Sequence, residues 1–416
     1  MQEDSIVVIE RGTPAVNGWD VAELPFRLVT LPILIIGNGS KLAFGGKGYL
    51  IPNVTHLFGQ IQARGVHPLI HRQGASSSIG GGLLLGVPPT REGPWAHVLG
   101  GATIKEYWLL GARLGYGSEY PEPRPRLGIR RGGPFTVQGY GFRAHRAQDK
   151  FYGPGRDSRN ENRSDYDRDQ YEAGAVVILR PLPNSELRFF ARWTQDDIGA
   201  GDADDLPDVD STFAASEIPG FGERWRYVSF GTTVGWRVGR LHTMQRHDRW
   251  LEASYTWNDS RSDGAADYGR LELSAGIELP FDRKRESLAF ALRYVALRPS
   301  GEGAIPFYRL ASLGGSHSLA SYHTYRFADQ ESILGQAEYR YRVWSEVRDE
   351  FWLDGILFLY EGMVAESLSD EFRFERLKES YGFGLAFITP ESEVARITFN
   401  WGDDGFLGRF SFLFGL

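Results

Sequence analysis

From about residue 65 onward the chain is a succession of segments of roughly ten residues in which two kinds of side chain alternate, separated by clusters of Gly, Pro, Asp, Asn and Ser. A period of two is the signature of extended strands whose two faces meet different surroundings. Leu271, Leu273, Ala275, Ile277 and Leu279 make one apolar face, and Arg270, Glu272, Ser274 and Glu278 make the other. Ile333, Ala337, Tyr339, Tyr341 and Val343 stand against Gln336, Glu338, Arg340 and Arg342 in the same way. Val228, Phe230, Val234, Trp236 and Val238 oppose Ser229, Thr233 and Arg237, and Ala395, Ile397, Phe399 and Trp401 oppose Arg396, Thr398 and Asn400. The last segment lines up Phe406, Phe410, Phe412, Phe414 and Leu416.

Alternation alone does not say which face meets water, because a soluble sandwich alternates too. The charges decide. Glu172, Arg188, Arg192, Arg237, Glu252, Arg293, Glu338, Arg340, Asp354 and Arg396 all fall in mid-strand. In a dry core each unpaired charge would cost several kcal/mol. They fit a hydrated lumen, with the apolar face turned to lipid and Trp, Tyr and Phe gathered at the strand ends. The expectation is an all-β fold, a transmembrane antiparallel β-barrel, over 65–416; a soluble propeller or sandwich is the alternative. The segments number about 16, an even count as bacterial single-chain barrels require. Their centres lie near residues 69, 82, 99, 111, 140, 175, 190, 232, 254, 275, 292, 338, 356, 384, 397 and 411. Short connections such as 181–186, 280–286, 345–350 and 389–393 are assigned to the periplasm. Long ones at 149–169, 196–223, 258–267, 300–330 and 365–379 are assigned to the outside.

Residues 1–64 do not alternate. Gly18 to Asn38 reads as a short apolar helix interrupted at Pro25 and Pro32, ahead of Gly45-Gly46-Lys47-Gly48. This is expected to be a periplasmic or lumen-plugging segment, with a poorly ordered leader as the bland alternative. Met1-Gln2-Glu3-Asp4 lacks the basic and apolar regions of a secretory signal, which an initiator Met is expected to have replaced. No apolar run reaches the roughly 18 residues a spanning helix needs. The chain has 46 basic and 53 acidic residues, a formal charge of −7, and no basic tract, so nucleic acid is not an expected partner. With no Cys among 416 residues, disulfides and thiolate chemistry are excluded, and the composition suits an oxidising envelope compartment.

The block Leu313-Gly314-Gly315-Ser316-His317-Ser318-Leu319-Ala320-Ser321-Tyr322, with Tyr325-Arg326-Phe327 after it, resembles the sixth outer loop of the BamA/TamA family of outer-membrane proteins, the bacterial surface antigen superfamily. Other matches keep the family's order. Phe151-Tyr152-Gly153-Pro154-Gly155-Arg156-Asp157-Ser158 is similar to an outer-loop signature. Glu338-Tyr339-Arg340-Tyr341, Asp354-Gly355 and Ser380-Tyr381-Gly382-Phe383-Gly384-Leu385 are similar to later strands, and the prolines at Leu24-Pro25 and Leu31-Pro32 to leaders of members lacking a large soluble domain.

The resemblance implies a sixth-loop motif formed by Gly314, Gly315, Leu319, Ala320, Ser321, Tyr322, Arg326 and Phe327. It implies facing lumen charges at Glu338, Arg340, Arg342, Asp354 and Arg396, and a C-terminal strand carrying Phe410, Phe412 and Phe414. Family members usually have Arg-Gly where this chain has Ala320-Ser321, and that arginine pairs with acidic residues inside the barrel. Without it Glu338 and Asp354 need another cation, for which Arg326, Arg340 and Arg342 are the candidates. Residues 1–64 are too few for the POTRA module that family insertases carry, so a POTRA-free barrel is expected.

Ser316, His317, Ser318 and His323 sit close together, but adjacent side chains on an extended segment point apart, so a polar loop is the plainer reading. No nucleophile elbow or zinc-protease helix occurs. His67 and His71 lie about 13 Å apart on a strand face, too far to share a metal ion. Asp196, Asp197, Asp202, Asp204, Asp205, Asp208 and Asp210 read as a solvated acidic loop without EF-hand spacing, with Ca²⁺-bridged lipopolysaccharide as the functional alternative. Arg124, Arg126, Arg130 and Arg131 could touch phosphate head groups or serve as a linker. The expectation is therefore a non-enzymatic component of protein or lipoprotein assembly, export or translocation, with no metal and no cofactor. It would sit in a Gram-negative outer membrane among lipids and lipopolysaccharide, with a periplasmic protein or lipoprotein partner. A plugged pore or structural barrel is the alternative, and a lipid-modifying enzyme the third.

Overall fold

The computed structural model describes residues 66–73, 78–86, 93–117, 134–238, 249–282, 286–345, 352–388 and 393–412. The 1–64 segment, the arginine turn at 124–131 and Phe414 lie outside them. The side chains of 66–81, 281–282, 393–394 and Phe412 do too.

The described residues begin with short strands: β1 (Val66–Gln73), β2 (Ser78–Gly86), β3 (Gly93–Thr103) and β4 (Trp108–Gly117), of 8 to 11 residues. Long ones follow, β5 (Phe135–Phe151), β6 (Ser164–Leu179), β7 (Ser185–Ala200) and β8 (Arg224–Val238), of 15 to 17 residues. Next come β9 (Arg249–Ser260), β10 (Asp267–Asp282) and β11 (Glu286–Ser300). The connection after β11 holds a small ribbon, β12 (Ala311–Leu313) with β13 (Phe327–Asp329). Then come β14 (Glu331–Ser345) and β15 (Trp352–Ala365), and finally β16 (Lys378–Ile388), β17 (Glu393–Gly402) and β18 (Gly405–Phe412), of 11, 10 and 8 residues.

Sixteen of these strands form one sheet in which each pairs with the next along the chain, β11 passing directly to β14. The pairings are antiparallel throughout, and all sixteen centres expected from the alternation fall inside strands. The sheet is curled. Arg326 donates at once to Ser158 Oγ (2.8 Å), between β5 and β6, and to Asp404 Oδ2 (2.7 Å), between β17 and β18. In a flat sheet those two sites would lie about 50 Å apart. Among the described residues no pairing joins β1 to β18.

The faces are inside out relative to a soluble protein. On β8 Phe230 and Val234 are more than half exposed while Tyr227 and Ser229 are fully buried. On β17 Arg396, Thr398 and Asn400 are buried, and on β18 Phe406 and Phe410 are exposed. Leu251, Tyr255, Leu273, Phe290, Leu292, Leu357 and Leu359 continue the outward apolar band. Among the described residues no helix is long and apolar enough to cross a membrane. Strands of this kind cross instead, with their polar faces turned to the interior.

Candidate functional site

The connection between β11 and β14, residues 301–330, runs from one wall of the interior to the other, and two sets of contacts hold it.

Its first half carries a single turn of 3-10 helix, Phe307–Arg309, which directs Arg309 onto the β7 wall. The guanidinium donates to Asp196 Oδ2 through Nη2 (2.5 Å) and Nε (3.1 Å), to Thr194 Oγ1 (2.8 Å) and to Tyr268 OH (3.3 Å). It lies 4.4 Å from the ring centre of Tyr227. The other oxygen of Asp196 accepts two bonds from Arg168, at 2.8 and 2.9 Å. Burial works against charge on Arg309, but the Asp196 carboxylate outweighs it and lifts the guanidinium pKa well above its ordinary value. A buried carboxylate shared by two arginines is a fully satisfied unit. One expectation needs correcting here: Asp196 and Asp197 belong to β7, not to a solvated loop. The sixth loop also brings a cation, Arg309, into the interior upstream of the Ala320-Ser321 site.

The second half turns at Gly314 and Gly315, whose φ values of 110° and 102° suit glycine. Leu319, Ala320, Ser321 and Tyr322 are all buried. Leu313, Leu319, Ala320, Tyr322 and Phe327 pack with Leu334, Phe358, Tyr360 and Val364 of β14 and β15. The tip reaches the last strands. The Ser321 amide donates to Ser380 Oγ (2.8 Å), and the Asp403 amide donates to Tyr322 OH (3.2 Å). Arg409 of β18 donates to the Ala320 carbonyl (2.6 Å) and also to that of Tyr322. Gly402 permits this approach, because a Cβ there would lie 3.0 Å from Ser321 Cβ and 2.8 Å from the Glu379 carbonyl.

Arg326 goes elsewhere than expected. It pairs with Asp404 (2.7 Å) and lies 4.6 Å from the centre of the Phe327 ring, far from any role in neutralising Glu338 or Asp354. Those carboxylates take their cations from the wall itself. Glu338 is paired with Arg340 (2.5 Å) and Arg396 (2.7 Å) and accepts a bond from Tyr360 OH. Asp354 has Arg342 at 3.8 Å. The alternation placed all five charges on one face, and the register adds their pairing.

The Phe151 to Ser158 segment docks on the same loop, its Gly155 amide donating to the Ala328 carbonyl (2.8 Å) while Arg156 reaches Glu371 of the 366–377 connection (3.1 Å). Phe151 and Tyr166 each meet Phe307 edge-on at 4.9 Å. Burial pushes the Tyr152 phenol up to about 12. Ser318 Oγ accepts from the Gly314 amide (3.2 Å), which gives that hydroxyl a structural task. His323 is half-buried, and its pKa is lowered by that burial and by Arg163 and Arg409. Arg309, Arg168, Arg409, Asp404 and Gly402 were missed in the sequence, although an arginine just before the glycine pair was a visible signal for a lumen-reaching cation.

No protein-family model matches the chain, and no curated protein does. Solved structures do. The crystal structure of BamA from Haemophilus ducreyi lacking POTRA domains 1–3 is similar at a TM-score of 0.55 and 12% identity, over 84% of this chain and 70% of that one. CdiB from Escherichia coli is similar at a TM-score of 0.50 and 12% identity, over 84% of this chain and 60% of that one. This chain therefore has the antiparallel transmembrane β-barrel fold of BamA and CdiB.

Proposed function

We propose that the chain is a non-enzymatic component of protein or lipoprotein assembly, export or translocation in a Gram-negative outer membrane, working with partner proteins. One observation carries the reading. The described sheet ends at β1 and β18, and the outer edge of each has no strand partner among the described residues. A client strand can add to such an edge by main-chain hydrogen bonds.

The sixth loop fits this role because Arg409 ties its tip to β18. Movement of the edge strand would be felt by the loop, and through Arg309 by the opposite wall. The likeness to BamA and CdiB supports the fold on which this mechanism rests. A plugged pore is the second reading, favoured by the loop's anchorage across the interior.

Affinity purification from the native membrane tests the proposal. Reproducible recovery of a periplasmic protein or lipoprotein is expected, and repeated recovery of the barrel alone would overturn it. A pore would show large, stable currents in a planar bilayer.

A further inference from the structure

The outward face of β5 to β8 is unequal at its two ends. On β8 it runs Val238, Trp236, Val234, Phe230, Val228 and then changes to Arg226 and Arg224, both exposed. The register carries the change across neighbouring strands. One row joins Leu110, Arg143, Tyr171, Gln195 and Arg226, and the next joins Trp108, His145, Asp169, Asp197 and Arg224. At the other end the same face finishes on exposed apolar side chains, Phe135 of β5, Leu179 of β6 and Val238 of β8. The charged rows stand at the end that bears the long connections.

Within them the guanidinium of Arg143 lies 5.0 Å from the centre of the Trp108 ring and 4.8 Å from that of Tyr171, held by Asp169 at 2.9 Å. Arg224 is held by Asp197 at 2.7 Å. Arg226 is held only by a neutral group, Gln195 Oε1 at 2.9 Å, and has no carboxylate partner among the described residues. Aromatic rings at the edge of an apolar band mark the depth of lipid head groups, and arginine is the side chain that matches phosphate oxygens in pairs.

We infer that Arg143, Arg224 and Arg226 form a docking surface on the outside of the barrel for the phosphates of anionic lipid head groups in the leaflet at the long-connection end. The inference rests on the outer-membrane reading above. Charge complementarity carries it. The two rows hold three arginines against two aspartates, and the surplus cation, Arg226, sits beside the aromatic rim.

The full chain is reconstituted in nanodiscs of phosphatidylcholine alone and of phosphatidylcholine with a diphosphorylated lipid A, then exchanged into detergent, and retained lipid is read by native mass spectrometry. Wild type is expected to keep the diphosphorylated lipid in preference to phosphatidylcholine. Arg143→Gln with Arg226→Gln should lower that retention roughly 30-fold, at about fivefold per arginine. Arg226→Gln alone, which breaks no ion pair, should give a loss of about fivefold. Equal retention of both lipids by wild type, or unchanged retention in the variants, would overturn the inference. So would displacement by millimolar inorganic phosphate, the sign of a plain anion site. Heat-modifiable migration in the phosphatidylcholine discs separates the two failures. If the barrel inserts there but shows no lipid preference, only this inference falls; if it inserts in neither disc, the membrane reading falls with it.

Discussion

Replacing Arg309 by methionine keeps the side chain's bulk on the interior wall and removes its charge. The loop then loses two bonds to Asp196 at 2.5 and 3.1 Å, one to Thr194 at 2.8 Å and the contact with Tyr227. Charge-assisted bonds each contribute roughly 1.5–3 kcal/mol net, but Asp196 keeps Arg168 and is not orphaned, so the cost of loop docking should be about 3 kcal/mol. Asp196→Ala is the harsher change because it leaves two buried guanidinium groups uncompensated, at about 3–5 kcal/mol or more. Hydrogen exchange over residues 305–322 in detergent measures both. An increase of roughly 100-fold in exchange rate is expected for Arg309→Met, with a larger one for Asp196→Ala. Conductance should rise in both as the loop leaves the interior. Exchange within about threefold of wild type for Arg309→Met, or a stronger effect from it than from Asp196→Ala, would refute the assignment of this pair as the loop's anchor.

Further outcomes follow from the same contacts. The folded loop holds His323 below the ordinary value of 6.5, so the released loop binds a proton first as pH falls. The contribution of His323 to docking is complete above 6.5 and is lost progressively below it. The protection of the loop amides, measured relative to their intrinsic exchange rate at each pH, should therefore fall on acidification from pH 7.5, and His323→Gln should flatten that profile. Gly402→Ala places a methyl group against Ser321 and the Glu379 carbonyl, and should raise the susceptibility of the loop tip to protease while the strands stay folded. Ser318→Ala removes one bond to the Gly314 amide, at roughly 0.5–1.5 kcal/mol, and should leave membrane lipid composition unchanged; an altered lipid profile would revive the enzyme reading.

Much of this protein can be read from its sequence because a β-strand writes its two environments into alternate residues. That pattern determined sixteen strands, the outward apolar band and the face on which Glu338, Arg340, Arg342, Asp354 and Arg396 lie. Period two says which face a side chain occupies but is silent about what stands opposite it. Partners across the interior therefore had to come from the tertiary structure. Arg309 meets Asp196 from 113 residues away, Arg326 meets Asp404 from 78, and Arg409 meets Ala320 from 89. The sixth loop has no period at all, and its path is set by the lumen it crosses. Only the curled sheet brings β7 and β18 within reach of one loop, so only the fold could show that this chain anchors the loop with Arg309, well upstream of the expected position.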